Sequence, residues 1–98
     1  MGITKVKYFV VSPPGYKGMV ASCSVILDNS LLLTNIKLFE RDGEKIIQMP
    51  THTLKKYQKN VEIFHPVSKS FYEYLKSTIV EGYNNYKETG SYDYYPED

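Results

Sequence analysis

Apolar and polar residues alternate along the first half of the chain, which is the pattern of half-buried β-strands. In residues 19–27 the odd positions form the more apolar face, so this face is predicted to point into the core. Residues 3–11 alternate in part, with Val6 and Tyr8 opposite Lys7 and Phe9. Turn-forming residues separate these segments from the next ones. Further strands are predicted over residues 31–39 and 45–49, and a short fifth one over 61–64.

Helical spacing replaces the alternation after Pro66. An apolar or aromatic residue recurs every four positions there: Phe71, Leu75, Ile79 and Tyr83. This stripe predicts one amphipathic helix of about four to five turns that packs on the sheet. Tyrosines beside the stripe are interpreted as core or dimer contacts rather than as a base-stacking surface. Two N-caps fit the sequence: Ser70, which has capping-box spacing to Glu73, or Ser68.

These elements predict an α+β fold. It consists of a small antiparallel β-sheet of four or five strands in meander order, with one C-terminal α-helix packed on it. The length of 98 residues fits a single domain, which we place at residues 1–88. Residues 89–98 show no periodicity and contain the breakers Gly90 and Pro96. They are predicted to form a flexible acidic tail.

The segment 49–66 differs from the strands around it. The pairs Met49-Pro50 and His65-Pro66 bracket it, and each proline restricts the backbone on both sides, which predicts a held loop. No acidic residue precedes Glu62 within it. This basic loop is a candidate site for a polyanion, and the alternative is an ordinary solvated surface. Its basic residues are His52, Lys55, Lys56 and Lys59.

Charge is distributed unevenly along the chain, although the net charge is only +1. Residues 1–76 carry eleven basic and six acidic side chains, whereas residues 77–98 carry one basic and five acidic side chains. A basic body with an acidic end favours nucleic acid as a partner. The single cysteine excludes an internal disulfide. Because neither a signal peptide nor a membrane-spanning apolar run is evident, we expect a cytoplasmic protein without membrane contact.

The residue inventory predicts no catalysis, metal, cofactor or small-molecule substrate. His52, His65 and Cys23 have no recognised metal-ligand spacing. A nucleophilic pair of Cys23 and His65 is conceivable, but Cys23 lies on the apolar face of a predicted strand, so core packing is favoured. We interpret His65 as a structural histidine at the corner between strand and helix. No phosphate-binding glycine loop is present. We therefore expect a protein that is not an enzyme.

A series of short motifs then suggests a family. In chain order they are Val6, Gly18 with Met19-Val20-Ala21, Ser24-Val25-Ile26-Leu27-Asp28, Ile36-Lys37-Leu38, Gly43, Met49-Pro50 and His65-Pro66-Val67. This order resembles the bacterial stage V sporulation protein G (septation protein, SpoVG) family over about residues 1–86. The spaced Met-Pro and His-Pro pairs, combined with the Leu-Asp turn, are its most specific parts.

The resemblance implies a homodimer that binds DNA or RNA and regulates gene expression in bacteria, in association with septation and sporulation. It also implies that basic residues of the loop after Met-Pro and of the helix after His-Pro contact the nucleic acid. On this chain the first group corresponds to His52, Lys55, Lys56 and Lys59, and the second to Lys69 and Lys76.

This chain departs from the family pattern in its basic residues. Many relatives have arginines in the first strand and the loop, where this chain has Tyr8-Phe9-Val10 and lysines, and it lacks the glycine that usually turns the loop. Lysine contacts phosphate as a point charge, whereas arginine forms bidentate contacts to guanine. We therefore expect weaker and less sequence-specific binding. The alternative function is a protein-interaction module of the division or sporulation machinery that uses an edge strand and tyrosine-rich surface.

Overall fold

A five-stranded antiparallel sheet forms the body of the molecule in the computed structural model, which describes residues 2–96. One helix packs on one face of this sheet, and a separate two-stranded hairpin precedes the helix. The predicted α+β class is confirmed. The strands are β1 (Ile3–Val10), β2 (Met19–Leu27), β3 (Leu31–Arg41), β4 (Glu44–Gln48), β5 (Thr51–Leu54), β6 (Lys59–Glu62) and β7 (Asp93–Tyr94), and the helix is α1 (Lys69–Thr89).

The first four strands follow the predicted meander. The order in the main sheet is β4-β3-β2-β1-β7, so each strand from β1 to β4 lies beside its neighbour in the chain. The tight turn between β2 and β3 places Asp28 and Asn29 at positive φ. Asp and Asn tolerate this conformation better than most residues, which explains why the chain reverses there.

The core lies between the sheet and the helix. The odd positions of β2 that were predicted to face inwards are buried from Ala21 to Leu27. Tyr8 on β1 is also buried, and its hydroxyl donates a hydrogen bond to the backbone oxygen of Ile79 on α1 (2.6 Å). The hydroxyl of Tyr74 accepts a hydrogen bond from the backbone N–H of Ile3 (2.9 Å). Two tyrosines therefore fix the helix to the first strand.

The helix is longer than predicted, with 21 residues or about six turns. Its N-cap is Ser68, whose hydroxyl oxygen accepts a hydrogen bond from the backbone N–H of Phe71 (3.1 Å). The alternative capping box of Ser70 and Glu73 is wrong. The helix ends at Gly90, which adopts φ 79°, a conformation that glycine reaches without strain. Its buried residues are Leu75, Thr78, Ile79 and Gly82.

The segment predicted as a flexible tail contributes a strand to the main sheet. After Gly90 the chain turns back, and Asp93 and Tyr94 pair with Lys7 and Val6 as strand β7. The backbone N–H of Tyr8 also donates to the oxygen of Tyr92 (2.8 Å). The prediction is therefore wrong for residues 92–94, because pairing with β1 is a long-range contact that no local periodicity reveals. Residues 97 and 98 of the predicted tail lie outside the described residues.

The predicted strand at residues 61–64 does not join the main sheet. It overlaps β6, which pairs with β5 in a hairpin of its own. Among residues 2–96, no helix combines the length and the apolar character that crossing a membrane requires.

Candidate nucleic-acid interface

The basic segment folds as a β-hairpin rather than as an irregular loop. Thr51 pairs with Glu62 and Leu54 with Lys59, and the backbone N–H of Ile63 extends the ladder to the oxygen of Pro50 (2.8 Å). A hydrogen bond between the side chains of Thr53 and Asn60 (2.7 Å) crosses the strands. Of residues 51–62, none is buried. The hairpin is therefore held by its own backbone and presents its side chains to solvent.

The tip of this hairpin carries most of its charge. Lys55 and Lys56 occupy the turn between β5 and β6, and Lys59 follows as the first residue of β6. His52 and Lys59 lie on the same face of the hairpin, since residues at alternate positions and their cross-strand partners share a face. Glu62 lies on the opposite face, at the base. The fold thus brings together the four basic residues that the sequence predicted for this segment.

An aromatic side chain accompanies these cations. Tyr57 is 68% exposed, and the Nζ of Lys56 lies 5.7 Å from the centre of its ring. Residues 52–57 line a shallow hollow of about 340 Å³ at the tip. An open, cationic surface with an exposed ring suits a flat or extended polyanion better than a small molecule that needs enclosure.

The two helix lysines lie in different surroundings. Lys69 is exposed in the first turn of α1, directly after the N-cap. Lys76 lies about 10 Å further along the helix, in a hollow beside the turn between β3 and β4. Glu44 and Glu73 line the same hollow. Lys45 lines this hollow as well, so the positive potential near Lys76 is set by both signs of charge. Glu73 is also four residues from Lys69, on the adjacent turn of the same helix.

A comparison with models of protein families assigns the chain to one family. The SpoVG family model matches residues 1–85, which include the whole hairpin and most of α1. The chain belongs to the SpoVG family. This membership associates it with sporulation and septation. No curated protein matches the chain.

The nucleophilic pair considered from the sequence has no basis in this SpoVG-family fold. Cys23 is fully buried in the core, and burial raises the pKa of its thiol to about 12. The thiol is therefore protonated near neutral pH and does not act as a nucleophile. His65 is exposed, and its Nδ1 lies 3.9 Å from a carboxylate oxygen of Glu62. Within residues 2–96, no group of three or more potential ligand side chains is placed to hold a metal ion.

Two surfaces of this SpoVG-family chain were not assigned from the sequence. One is an apolar groove of about 390 Å³ between the β2–β3 turn, the segment 64–68 and the start of α1. Val67 (96% exposed) and Leu31 (52% exposed) lie at this groove. The other is the uncovered face of the main sheet, which carries Lys7 and Phe9. The alternation in β1 did place these two residues on one side, but it did not indicate a role.

Proposed function

We propose that the protein is a non-enzymatic, nucleic-acid-binding regulator of gene expression that contacts DNA or RNA through the β5–β6 hairpin. The observation that carries the proposal is the concentration of His52, Lys55, Lys56 and Lys59 on one exposed hairpin without an acidic residue between His52 and Val61. Such a surface attracts a polyanion over a long range and holds it by direct contacts to phosphate.

The lysines determine what kind of binding is expected. Ammonium groups contact phosphates as point charges, so they position the protein on the backbone without reading its sequence. The short, exposed hairpin lets these groups follow an irregular backbone. Lys69 and Lys76 extend the surface along the helix in this proposal, and Lys76 lies in a hollow that also contains Glu44, Lys45 and Glu73.

We further propose that the protein acts as a homodimer. The apolar groove at Leu31 and Val67 supports this, because exposed contiguous apolar surface on a small domain indicates an interaction site. A second copy would cover this groove and double the number of basic hairpins. If each subunit neutralises two or three phosphates, the dimer engages about four to six, and log K should fall against log salt with a slope of roughly −4 to −5 on duplex DNA.

The same groove favours the alternative, in which the protein binds a partner of the division or sporulation machinery and no nucleic acid. The two functions differ in the residues they need. Binding of a protein partner would depend on apolar residues such as Leu31 and would be indifferent to the hairpin lysines.

The test is a titration of fluorescent single- and double-stranded oligonucleotides at several salt concentrations, starting at about 50 mM, where phosphate contacts are strong. We expect binding that weakens with salt and is lost in the Lys55→Ala/Lys56→Ala/Lys59→Ala variant. The matched comparison is between Lys55→Ala/Lys56→Ala and Lys17→Ala/Lys87→Ala, which each remove two exposed lysines, the first pair from the hairpin and the second from outside it. Equal loss in both variants would show that only net charge matters, and absence of binding by the unmodified protein would leave the interaction module as the function.

A further inference from the structure

The main sheet has one face that the helix does not cover. Side chains alternate along β1, so the buried Tyr8 points towards α1 and its neighbours Lys7 and Phe9 point to the other side. Phe9 is 57% exposed, and at this position β1 pairs with β2 on one side only, because β7 pairs with Val6 and Lys7. A single exposed apolar side chain is normal on a protein surface, so a role for Phe9 depends on the residues that surround it.

Phe9 belongs to a row that crosses four strands. It pairs with Ser22 on β2, Ser22 pairs with Lys37 on β3, and Lys37 pairs with Gln48 on β4. Residues paired across strands lie on the same face, so this row presents a ring, a hydroxyl, an ammonium and an amide side by side. Phe9, Lys37 and Gln48 are exposed and Ser22 is half-buried.

A second cation lies next to the ring. Lys7 precedes Phe9 by two residues, or about 7 Å along the strand, and its Nζ lies 5.7 Å from the centre of the Phe9 ring. Lys7 pairs with Ser24 on β2. Two hollows adjoin Lys7 on this side of the molecule, of about 170 Å³ towards Leu32 and about 340 Å³ towards Tyr92. Phe9 lines the second of these hollows.

The charge of this face is positive. Asp93 on β7 lies opposite Lys7 in the sheet, but its carboxylate is 3.6 Å from the Nζ of Lys5. Within residues 2–96, neither Lys7 nor Lys37 forms a salt bridge. The ammonium groups of Lys7 and Lys37 are therefore available to contact phosphates. Lys7 is two residues before Phe9 on β1, and Lys37 is two strands away on β3.

We propose that this open face binds a single-stranded nucleic acid, with a base stacked on Phe9 and phosphates held by Lys7 and Lys37. Ser22 and Gln48 supply hydrogen-bonding groups for base edges in the same row. Bases of a duplex are already stacked and paired, so they cannot lie flat on Phe9, whereas unpaired bases can. The inference rests on the proposed nucleic-acid binding and adds to it a second surface, separate from the hairpin, that prefers unpaired strands.

Substitution of Phe9 tests this surface. We expect Phe9→Ala to weaken binding of a single-stranded oligonucleotide of about 12 nucleotides roughly tenfold, and to leave binding of the corresponding duplex nearly unchanged. The matched control is Tyr16→Ala, which removes a ring that is 83% exposed and has the Nζ of Lys17 at 5.3 Å, but lies before β2 and outside the row. This control should bind both oligonucleotides as the unmodified protein does.

Two further measurements make the result independent of folding. Phe9→Leu keeps an apolar side chain without a ring, so it should show the same loss for single strands while its circular dichroism and melting temperature stay close to those of the unmodified protein. In ¹⁵N-labelled unmodified protein, oligothymidylate should shift the amide resonances of Lys7, Phe9, Ser22 and Lys37. Unchanged single-strand affinity in both Phe9 variants, or resonance shifts confined to the hairpin, would overturn the inference.

The same titrations separate this inference from the proposed function. Loss of all binding in the hairpin variant together with full binding by Phe9→Ala would support the hairpin and refute the sheet face. Loss of single-strand binding in Phe9→Ala with binding retained by the hairpin variant would support the sheet face and refute the hairpin. Absence of binding to every oligonucleotide by the unmodified protein would refute both.

Discussion

Tyr8 and Gly82 show how closely single residues join the sheet to the helix. The Tyr8 ring reaches α1 beside Gly82 and hydrogen-bonds to Ile79. Burial, followed by the nearby Cys23, Tyr94 and Glu81, raises the pKa of Tyr8 above its ordinary value. The hydroxyl therefore stays protonated and continues to donate at physiological pH. Glycine is required at position 82 because a Cβ atom there would be too close to the Tyr8 and Tyr94 side chains. Its backbone freedom is not needed, since residue 82 lies inside α1 without a positive φ.

Gly82→Ala should destabilise the protein by about 1–2 kcal/mol. The new methyl group would lie against the hydroxyl of Tyr8, 2.8 Å from the Cδ2 atom of Tyr94 and 2.9 Å from the Cζ atom of Tyr8. Such overpacking costs about 1–3 kcal/mol, which the better helix propensity of alanine offsets by up to about 1 kcal/mol. The free energy of unfolding in urea measures the effect.

The control for this prediction is Asn84→Ala at an exposed position of the same helix, which should change stability by less than about 0.5 kcal/mol. Because the Tyr8 hydroxyl is the atom closest to the new methyl group, Gly82→Ala should cost less in a Tyr8→Phe background. Equal costs in both backgrounds would show that the crowding does not arise at Tyr8.

At the scale of elements, the start of α1 was predictable to within one turn, but the choice between its two caps was not. Ser68 and Ser70 are both good N-cap residues, and Ser70 also has Glu73 at the capping-box spacing. The helix nevertheless begins at Lys69, with Ser68 in an extended conformation. Pro66 lies two residues before this cap, and residues 63–68 connect β6 to the helix.

Ser68→Ala should therefore destabilise the protein by about 1 kcal/mol, because the backbone N–H of Phe71 loses its acceptor. Ser70→Ala is the matched control and should have an effect near zero or slightly stabilising, since Ser70 lies inside the first turn, where alanine is the better helix former. Thermal melts of the two variants beside the unmodified protein compare them. A larger loss in Ser70→Ala would contradict the observed cap.

The hairpin is the element whose location was predicted better than its structure. The proline pairs correctly marked both ends of the segment, and its basic residues were identified as a group. Strand β5 was missed because Thr51–Leu54 carries one apolar residue, Leu54, so alternation could not distinguish it from a loop. Its strand conformation comes from pairing with β6, a contact between residues up to eleven positions apart.

For the whole molecule, the two ends of the main sheet and the apolar groove decide what the surface can do. Strand β7 is two residues long, so it covers β1 only in part, and β4 forms the other edge. Exposed edges and apolar grooves are the features that small domains protect by association. These observations support the proposed homodimer, with the groove at Val67 and Leu31 as its contact surface.

If the groove is the dimer contact, light scattering of the purified protein should give twice the mass of one chain, and Val67→Glu should give the mass of one chain at the same concentration. A carboxylate at this position would lose its hydration in the contact, which is strongly unfavourable. Tyr16→Glu, at another highly exposed position, is the control and should remain a dimer. A dimer that survives Val67→Glu would move the contact to another surface.

Local periodicity and the order of short motifs were enough to predict the class of the fold, the strands β1 to β4, the existence of α1 and the family. The sequence also located the basic segment, since charge and proline spacing are local properties. Three features became evident only in the folded chain: residues 92–94 pair with β1, Ser68 caps the helix, and one row is formed by Phe9, Ser22, Lys37 and Gln48. Each of these three features depends on which distant segment of the chain lies next to the residues concerned. Register between strands and the docking of a short edge strand are set by contacts across the whole molecule, so a single stretch of sequence cannot specify them.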